Sequence, residues 1–276
     1  MIFHWQLPDG PLRSSVAWSF APAILGLAGV AIASQAALDL SSLYPLKAAG
    51  VFAAGSAVAI GLVGAHHPFD RFGPGNTTTM IRAGLVALMT SLIAEPGVPM
   101  VAVSAAALGL VATALDGVDG WLARRTGMTS AFGARFDMET DVFLVLALSV
   151  LAWQFGKAGV WVLLCGLMRY GFVAGGWLWP WLRGPLPATR RGKTICVVQF
   201  VGLSLTIVPA VEPRWSAPVA AVTLAALVYS FGVDVLRLRR GARGVGASSR
   251  RLADSYVGSG FSRTLGGPPE GGPHVR

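Results

Sequence analysis

Four aspartates offer the clearest chemistry in this sequence. Asp116 and Asp119 lie three residues apart, and Asp137 and Asp141 lie four apart. On helices, each pair shares one face. The link between the pairs is short, which makes the two helices antiparallel neighbours and brings four carboxylates together at one end of them. Carboxylates within a membrane are costly unless they are paired or solvated. Divalent cations relieve both the burial and the mutual repulsion. An all-oxygen donor set suits Mg²⁺ or Mn²⁺ rather than Zn²⁺, and two ions about 4 Å apart form a clamp for phosphoryl transfer. The residues between the acids fit that use. Gly120 removes a side chain where a ligand can approach the backbone, Ala123 keeps the same face low, Arg124 can pair with phosphate, and Gly133 permits close approach on the facing helix. Singly, each of these is equally well read as a packing residue or an interfacial acid. The spacing of the whole set is what points to chemistry.

The elements that must position these residues are membrane helices. The chain is 54% hydrophobic and 13% charged, against about 25% charged in soluble domains. Apolar runs suggest eight spans, at about 15–37, 44–64, 77–94, 98–118, 139–156, 158–180, 194–212 and 216–236. The first run lacks the basic head and cleavage site of a secretory signal and is expected to be retained. No alternation of the kind seen in barrel strands is present, so the expected fold is an all-α polytopic bundle. The net charge of +9 falls between apolar runs and in the tail, which points to anionic lipid rather than nucleic acid. With the N-terminus in the cytoplasm, Arg13, Arg71, Arg124, Arg125, Arg135, Arg183, Arg190, Arg191 and Lys193 lie inside, and Lys47, Lys157 and Arg214 outside. That asymmetry sets the orientation. It places the aspartates and both termini on the cytoplasmic face. Residues 241–276, rich in Gly, Ser, Arg and Pro, are expected to form a disordered basic tail.

Other polar residues invite weaker assignments. Arg169 lies within an apolar span, where an arginine is a functional candidate. With Arg191 and Lys193, and less so Arg190, it can bind an acceptor that carries a phosphate, such as glycerol 3-phosphate or an inositol phosphate; the same basic residues also serve topology alone. Glu139 points away from the Asp137 and Asp141 face and reads as a surface charge. His66 and His67, adjacent and therefore on different faces, read as interfacial loop residues. Cys165 and Cys196 have no disulfide or metal spacing. Trp153, Trp161, Trp177, Trp179, Trp181 and Trp215 read as interface anchors.

The run Asp-x2-Asp-Gly-x2-Ala-Arg-x8-Gly-x3-Asp-x3-Asp, met at every position from Asp116 to Asp141, resembles the signature of the CDP-alcohol phosphatidyltransferases. Asn76, Thr79 and Arg82 resemble a second family element, Asn-x2-Thr-x2-Arg. Gly192, Lys193 and Gln199 resemble a third, with Cys196 where the family usually has Thr. Val142 stands where many members have Lys. The resemblance implies a six-helix core over 74–240, preceded by a segment 1–73 with two added transmembrane helices. It implies that Asp116, Asp119, Asp137 and Asp141 hold two Mg²⁺ or Mn²⁺ ions. Asp141 would be the general base toward the acceptor hydroxyl. Asn76, Thr79, Gly120, Ala123, Arg124 and Gly133, with Asp116 and Asp119, would contact the nucleotide donor. The donor would be CDP-diacylglycerol or a related CDP-alcohol, the acceptor a small alcohol, the leaving group CMP and the assembly a homodimer in the cell membrane. Two other classes compete. A transporter would place its acids near the midplane in paired broken helices, and a catalytically silent scaffold would have lost one of the aspartates.

Overall fold

Apolar runs of this length can satisfy their backbones within lipid only as helices, and helices form. The computed structural model describes residues 7–184, 186 and 189–261, with the backbone alone for 65 and 243–261. Among them are eight α-helices: α1 (Gly10–Leu38), α2 (Tyr44–His66), α3 (Pro74–Thr90), α4 (Pro99–Arg125), α5 (Ala131–Gln154), α6 (Leu163–Leu178), α7 (Arg190–Thr206) and α8 (Pro213–Phe261). Short 3₁₀ turns precede α6 and follow it. The all-α expectation therefore holds, with three shifts in the boundaries. α4 runs on to Arg125, so both its aspartates and Arg124 are helical. α5 begins at Ala131 rather than near 139, because Ser130 caps it. α8 continues to Phe261, past the 240 at which the sequence suggested a disordered tail; the rest of that tail, 262–276, lies outside the described residues.

Five helical stretches are long and apolar enough to cross a membrane: Gly10–Leu38, Tyr44–Gly64, Pro99–Arg125, Val160–Leu178 and Pro213–Ala242. The chain is a membrane protein. The sequence suggested eight spans. α3 and α7 are short, at 17 residues each, and α5 gives up its early turns to Arg135, Asp137, Glu139 and Asp141. These three are the helices with the most deeply buried side chains, including Met80 and Met89, Leu144, Leu148 and Leu151, and Phe200 and Leu203. The five apolar stretches are only 17% to 33% buried. Lipid accepts a helix that is apolar all round, whereas charged residues are placed toward protein.

The chain divides into two compact units. One comprises the described residues within Met1–Gly171 and Ala188–Ser230, the other those within Phe172–Pro187 and Phe231–Arg276. In the second, Phe172 meets Phe231 edge-on at 5.4 Å, and Trp179, Trp181, Val235, Leu236, Arg239 and Ala242 line a groove.

Within the first unit, α3 packs most extensively on α4 and next on α5. Its connections link in alternation, as an up-and-down bundle requires. At one end Ser41 donates its backbone N–H (2.8 Å) and its hydroxyl (2.7 Å) to the buried Glu95 carboxylate. Lys47 pairs with the same carboxylate. Burial pushes the Glu95 carboxyl up, but these hydrogen bonds outweigh it and hold the group below its ordinary 4.5. Lys157 donates to the carbonyls of Val208 and Val211, at 3.0 and 2.5 Å. The opposite connections meet where Phe72 N–H donates to Ser15 Oγ at 3.0 Å and His67 meets Ser130.

Candidate active site

Two close approaches and one tight turn assemble the site. A Cβ on Gly75 would lie 3.0 Å from Ala123 Cβ and 3.0 Å from the Asp119 carbonyl. Only a glycine lets α3 sit this close to α4. α4 ends at Gly127 with φ +66°. Met128 N–H donates to the Ala123 carbonyl at 3.0 Å and Gly127 N–H to the Arg124 carbonyl at 3.3 Å. This is the left-handed glycine stop that satisfies the last carbonyls of a helix. Ser130 then starts α5 by accepting a hydrogen bond from Gly133 N–H at 3.0 Å, the usual role of an N-cap serine.

The four aspartates converge, and they do so around Arg82. Its side chain has no solvent exposure. Nη1 pairs with Asp119 Oδ2 at 2.6 Å and with Asp137 Oδ1 at 2.5 Å. Nη2 pairs with Asp116 Oδ1 at 2.9 Å and with Asp141 Oδ1. Nε donates to the Ala112 carbonyl at 3.1 Å. Every guanidinium nitrogen thus has an acceptor, the condition under which a buried arginine is tolerated. The sequence quoted Arg82 within a motif and gave it no role. Two signals mark it: Asn76, Thr79 and Arg82 recur every three residues on α3, and an arginine in an apolar helix is a functional candidate just as Arg169 is.

The remaining predicted residues fall in three groups. Thr79 joins the cluster, with its Oγ1 3.1 Å from Asp119 Oδ2. Asn76 donates to the Phe72 carbonyl at 2.5 Å, and its Oδ1 lies 2.7 Å from where a Cβ on Gly133 would stand. Arg124 folds back over Gly120, where an added Cβ would sit 3.1 Å from its Nη1. Gly120, Arg124 and Gly133 therefore border the acids, while Ala123 is taken up by its contact with Gly75. The basic candidates make contacts of their own. Arg169 reaches Glu139 at 3.4 Å, so Glu139 is a partner to an acceptor candidate rather than a plain surface charge. Arg191 is 3.5 Å from the Ser230 carbonyl. Lys193 lies in the first turn of α7, which Thr189 caps by accepting from Gly192 N–H at 3.1 Å. His67 lies in the connection from α2 to α3 as expected, but it is buried and doubly hydrogen-bonded rather than interfacial. Cys196 Sγ stands 4.0 Å from Asp141 Oδ2.

The donor set fits a hard divalent cation. Asp116, Asp119 and Asp137 each offer an oxygen, and these three lie within 4.8 Å of one another. The guanidinium of Arg82 supplies the countercharge that a metal ion would supply. One positive group against four carboxylates leaves formal negative charge at the site, and oxygen-only ligands select Mg²⁺-like ions.

The sequence profile of the CDP-alcohol phosphatidyltransferases matches residues 74–232. Two proteins named as probable phosphatidylglycerophosphate synthases, from Mycobacterium tuberculosis strains CDC 1551 / Oshkosh and ATCC 25618 / H37Rv, are each 31% identical over 174 residues, covering 62% of this chain and 83% of theirs. No solved structure matches.

Proposed function

This chain belongs to the CDP-alcohol phosphatidyltransferase family, and from that premise we propose that it transfers a phosphatidyl group from CDP-diacylglycerol to a phosphorylated alcohol and releases CMP. The convergence of four carboxylates from α4 and α5 carries this reading. Asp116, Asp119, Asp137 and Asp141 would hold two Mg²⁺ or Mn²⁺ ions, which when bound would neutralise the donor pyrophosphate. Charge supports two ions rather than one. With Arg82 against four acids, one dication leaves the site negative, whereas two make it positive and receptive to a pyrophosphate.

The chain's own groups then divide the work. Arg124, folded over Gly120, pairs with donor phosphate. Gly120 and Gly133 leave room for the nucleotide, Asn76 and Thr79 order the donor side, and Ala123 keeps α4 close to α3. Asp141 accepts the proton of the acceptor hydroxyl. That oxygen attacks the phosphorus distal to cytidine, the pyrophosphate P–O bond breaks, and CMP leaves with the electron pair. Arg169, Arg191 and Lys193 bind the acceptor phosphate. The printed name of the two mycobacterial relatives supports glycerol 3-phosphate as the first acceptor to try. The distribution of basic residues supports a cytoplasmic active site in the cell membrane, and the family supports a homodimer.

The test is CMP release by the purified protein in detergent, with CDP-diacylglycerol and a set of alcohols including glycerol 3-phosphate. Release should require Mg²⁺ or Mn²⁺, and Asp141→Asn should abolish it while donor binding persists. Turnover in EDTA, or a near-normal rate for Asp141→Asn, overturns the assignment.

A further inference from the structure

His67 precedes the family-matched segment, in the connection from α2 to α3. It is 6% exposed, and both ring nitrogens are engaged. Nε2 lies 2.8 Å from the Arg71 carbonyl and Nδ1 lies 3.0 Å from Ser130 Oγ. A carbonyl can only accept, so Nε2 carries the hydrogen. In the tautomer that carries its single hydrogen there, Nδ1 accepts from the Ser130 hydroxyl. That hydroxyl, turned toward His67, leaves its lone pairs for Gly133 N–H at 3.0 Å. The chain of three bonds runs in one direction, from the first turn of α5 through its cap and the histidine to the Arg71 carbonyl.

The surroundings fix this arrangement. The His67 ring stands edge-on to Phe69 at 5.4 Å and to Phe132 at 5.8 Å. Phe72 contacts both Phe132, at 6.1 Å, and Phe20 of α1, at 5.8 Å. Phe20 also meets Phe52 of α2 at 6.4 Å, so the two added helices and the first turn of α5 are joined through one run of aromatic contacts. One turn beyond Gly133 is Asp137, and one turn beyond that is Asp141. Whatever sets the cap sets where those two acids meet Arg82.

We propose that His67 is a positioning residue: it orients the Ser130 hydroxyl that caps α5, and so makes the N-terminal helix pair part of the catalytic machinery. This rests on the transferase reading above. A displacement of about 1 Å in a catalytic group can lower a rate about 100-fold.

The test compares three substitutions in the full-length protein. Asn places an acceptor near the Nδ1 position and should keep the Ser130 bond. Gln places a donor near the Nε2 position and should keep only the Arg71 bond. Leu keeps neither. We expect His67→Asn to stay within about threefold of the wild-type kcat, and His67→Gln and His67→Leu to fall about 10- to 100-fold with donor KM unchanged. His67→Leu combined with Ser130→Ala should lose no more than Ser130→Ala alone, because both act through one bond. Hydrogen exchange across residues 131–141 reads the cap without substrate and should quicken in His67→Gln but not in His67→Asn. Rescue by Gln and not Asn, multiplicative losses in the double variant, or unchanged exchange in His67→Gln would each overturn the proposal. Wild-type protein that releases no CMP from any acceptor, with exchange behaving as expected, would instead defeat the transferase reading and leave the cap contact standing.

Discussion

Replacing Arg82 with methionine should make the fold depend on a divalent cation. Methionine matches the length of the side chain and removes its charge and its donors. In the wild type, four carboxylates pair with that one buried guanidinium. Breaking a buried ion pair by removing one partner costs about 3–5 kcal/mol, and here the variant leaves four acids facing one another. In EDTA the variant should therefore lose about 3–5 kcal/mol. A cation bound only by the folded state returns about 2.7 kcal/mol at 100 times its Kd. Without the arginine the acids should bind the ion more tightly, and each tenfold in Kd adds about 1.4 kcal/mol at a fixed ion concentration. The variant should thus gain more from Mg²⁺ or Mn²⁺ than the wild type does. Thermal denaturation in detergent, followed by the loss of monodisperse protein with EDTA or with the ion, measures both effects. Arg82→Lys, which keeps the charge but not the planar fork, should fall between the two. If Arg82→Met melts with the wild type in EDTA, the arginine does not hold these acids. If it gains no more than the wild type from the ion, the acids do not form a cation site.

Two further predictions concern other charges. The Glu95 carboxyl is held below its ordinary 4.5, so its contribution is present above that value and is lost as pH falls through and below it. Glu95→Gln should cost about 1.5–3 kcal/mol at neutral pH, the range for hydrogen bonds to charged groups, and its melting curve should converge on that of the wild type as pH drops below about 4; a gap that stays constant with pH would show that the loss is one of packing. Glu139 now neutralises Arg169 at 3.4 Å, and both groups are partly exposed. Glu139→Gln should lower KM for a phosphorylated acceptor up to a few-fold, as a pair worth about 0.2–1 kcal/mol allows, with donor KM unchanged; an unaltered acceptor KM would remove Arg169 from the acceptor site.

Much of this arrangement could be read from the sequence because it is local. The apolar runs give eight helices, and the spacing of Asp116 with Asp119 and of Asp137 with Asp141 places each pair on one face. The short link between them makes the faces meet. What escaped depends on partners far along the chain. Arg82 gains its meaning only when α3 lies against α4 and α5, 34 to 59 residues away, and nothing in the spacing around it says that four acids surround it. Glu139 finds Arg169 across 30 residues, and His67 finds Ser130 across 63. The start of α5 was missed for a different reason. Hydropathy locates the apolar part of a helix, whereas its hydrogen bonding begins at the cap, and the turns between Ser130 and Asp141 carry the charges that hydropathy counts against a span.

That last discrepancy has a physical basis. A helix face turned toward lipid must be apolar, because nothing outside it can satisfy a charge. A helix enclosed by others can carry charge on the face that meets a countercharge. α3 and α5 do so, through Arg82 and the aspartates it pairs with; α5's charges and α3's 17-residue length keep both below the apolar length of a span, while they hold some of the most buried side chains of the bundle. Such helices need neighbours to cover them. α1 and α2 contribute to that cover: both pack on α3, and α2 also packs on α5. The contacts of Phe20 with Phe72 and of His67 with Ser130 tie this cover to the first turn of the helix that bears Asp137 and Asp141. The added pair therefore covers the charged helices, and if His67 positions the α5 cap as proposed, it also braces the acids they carry.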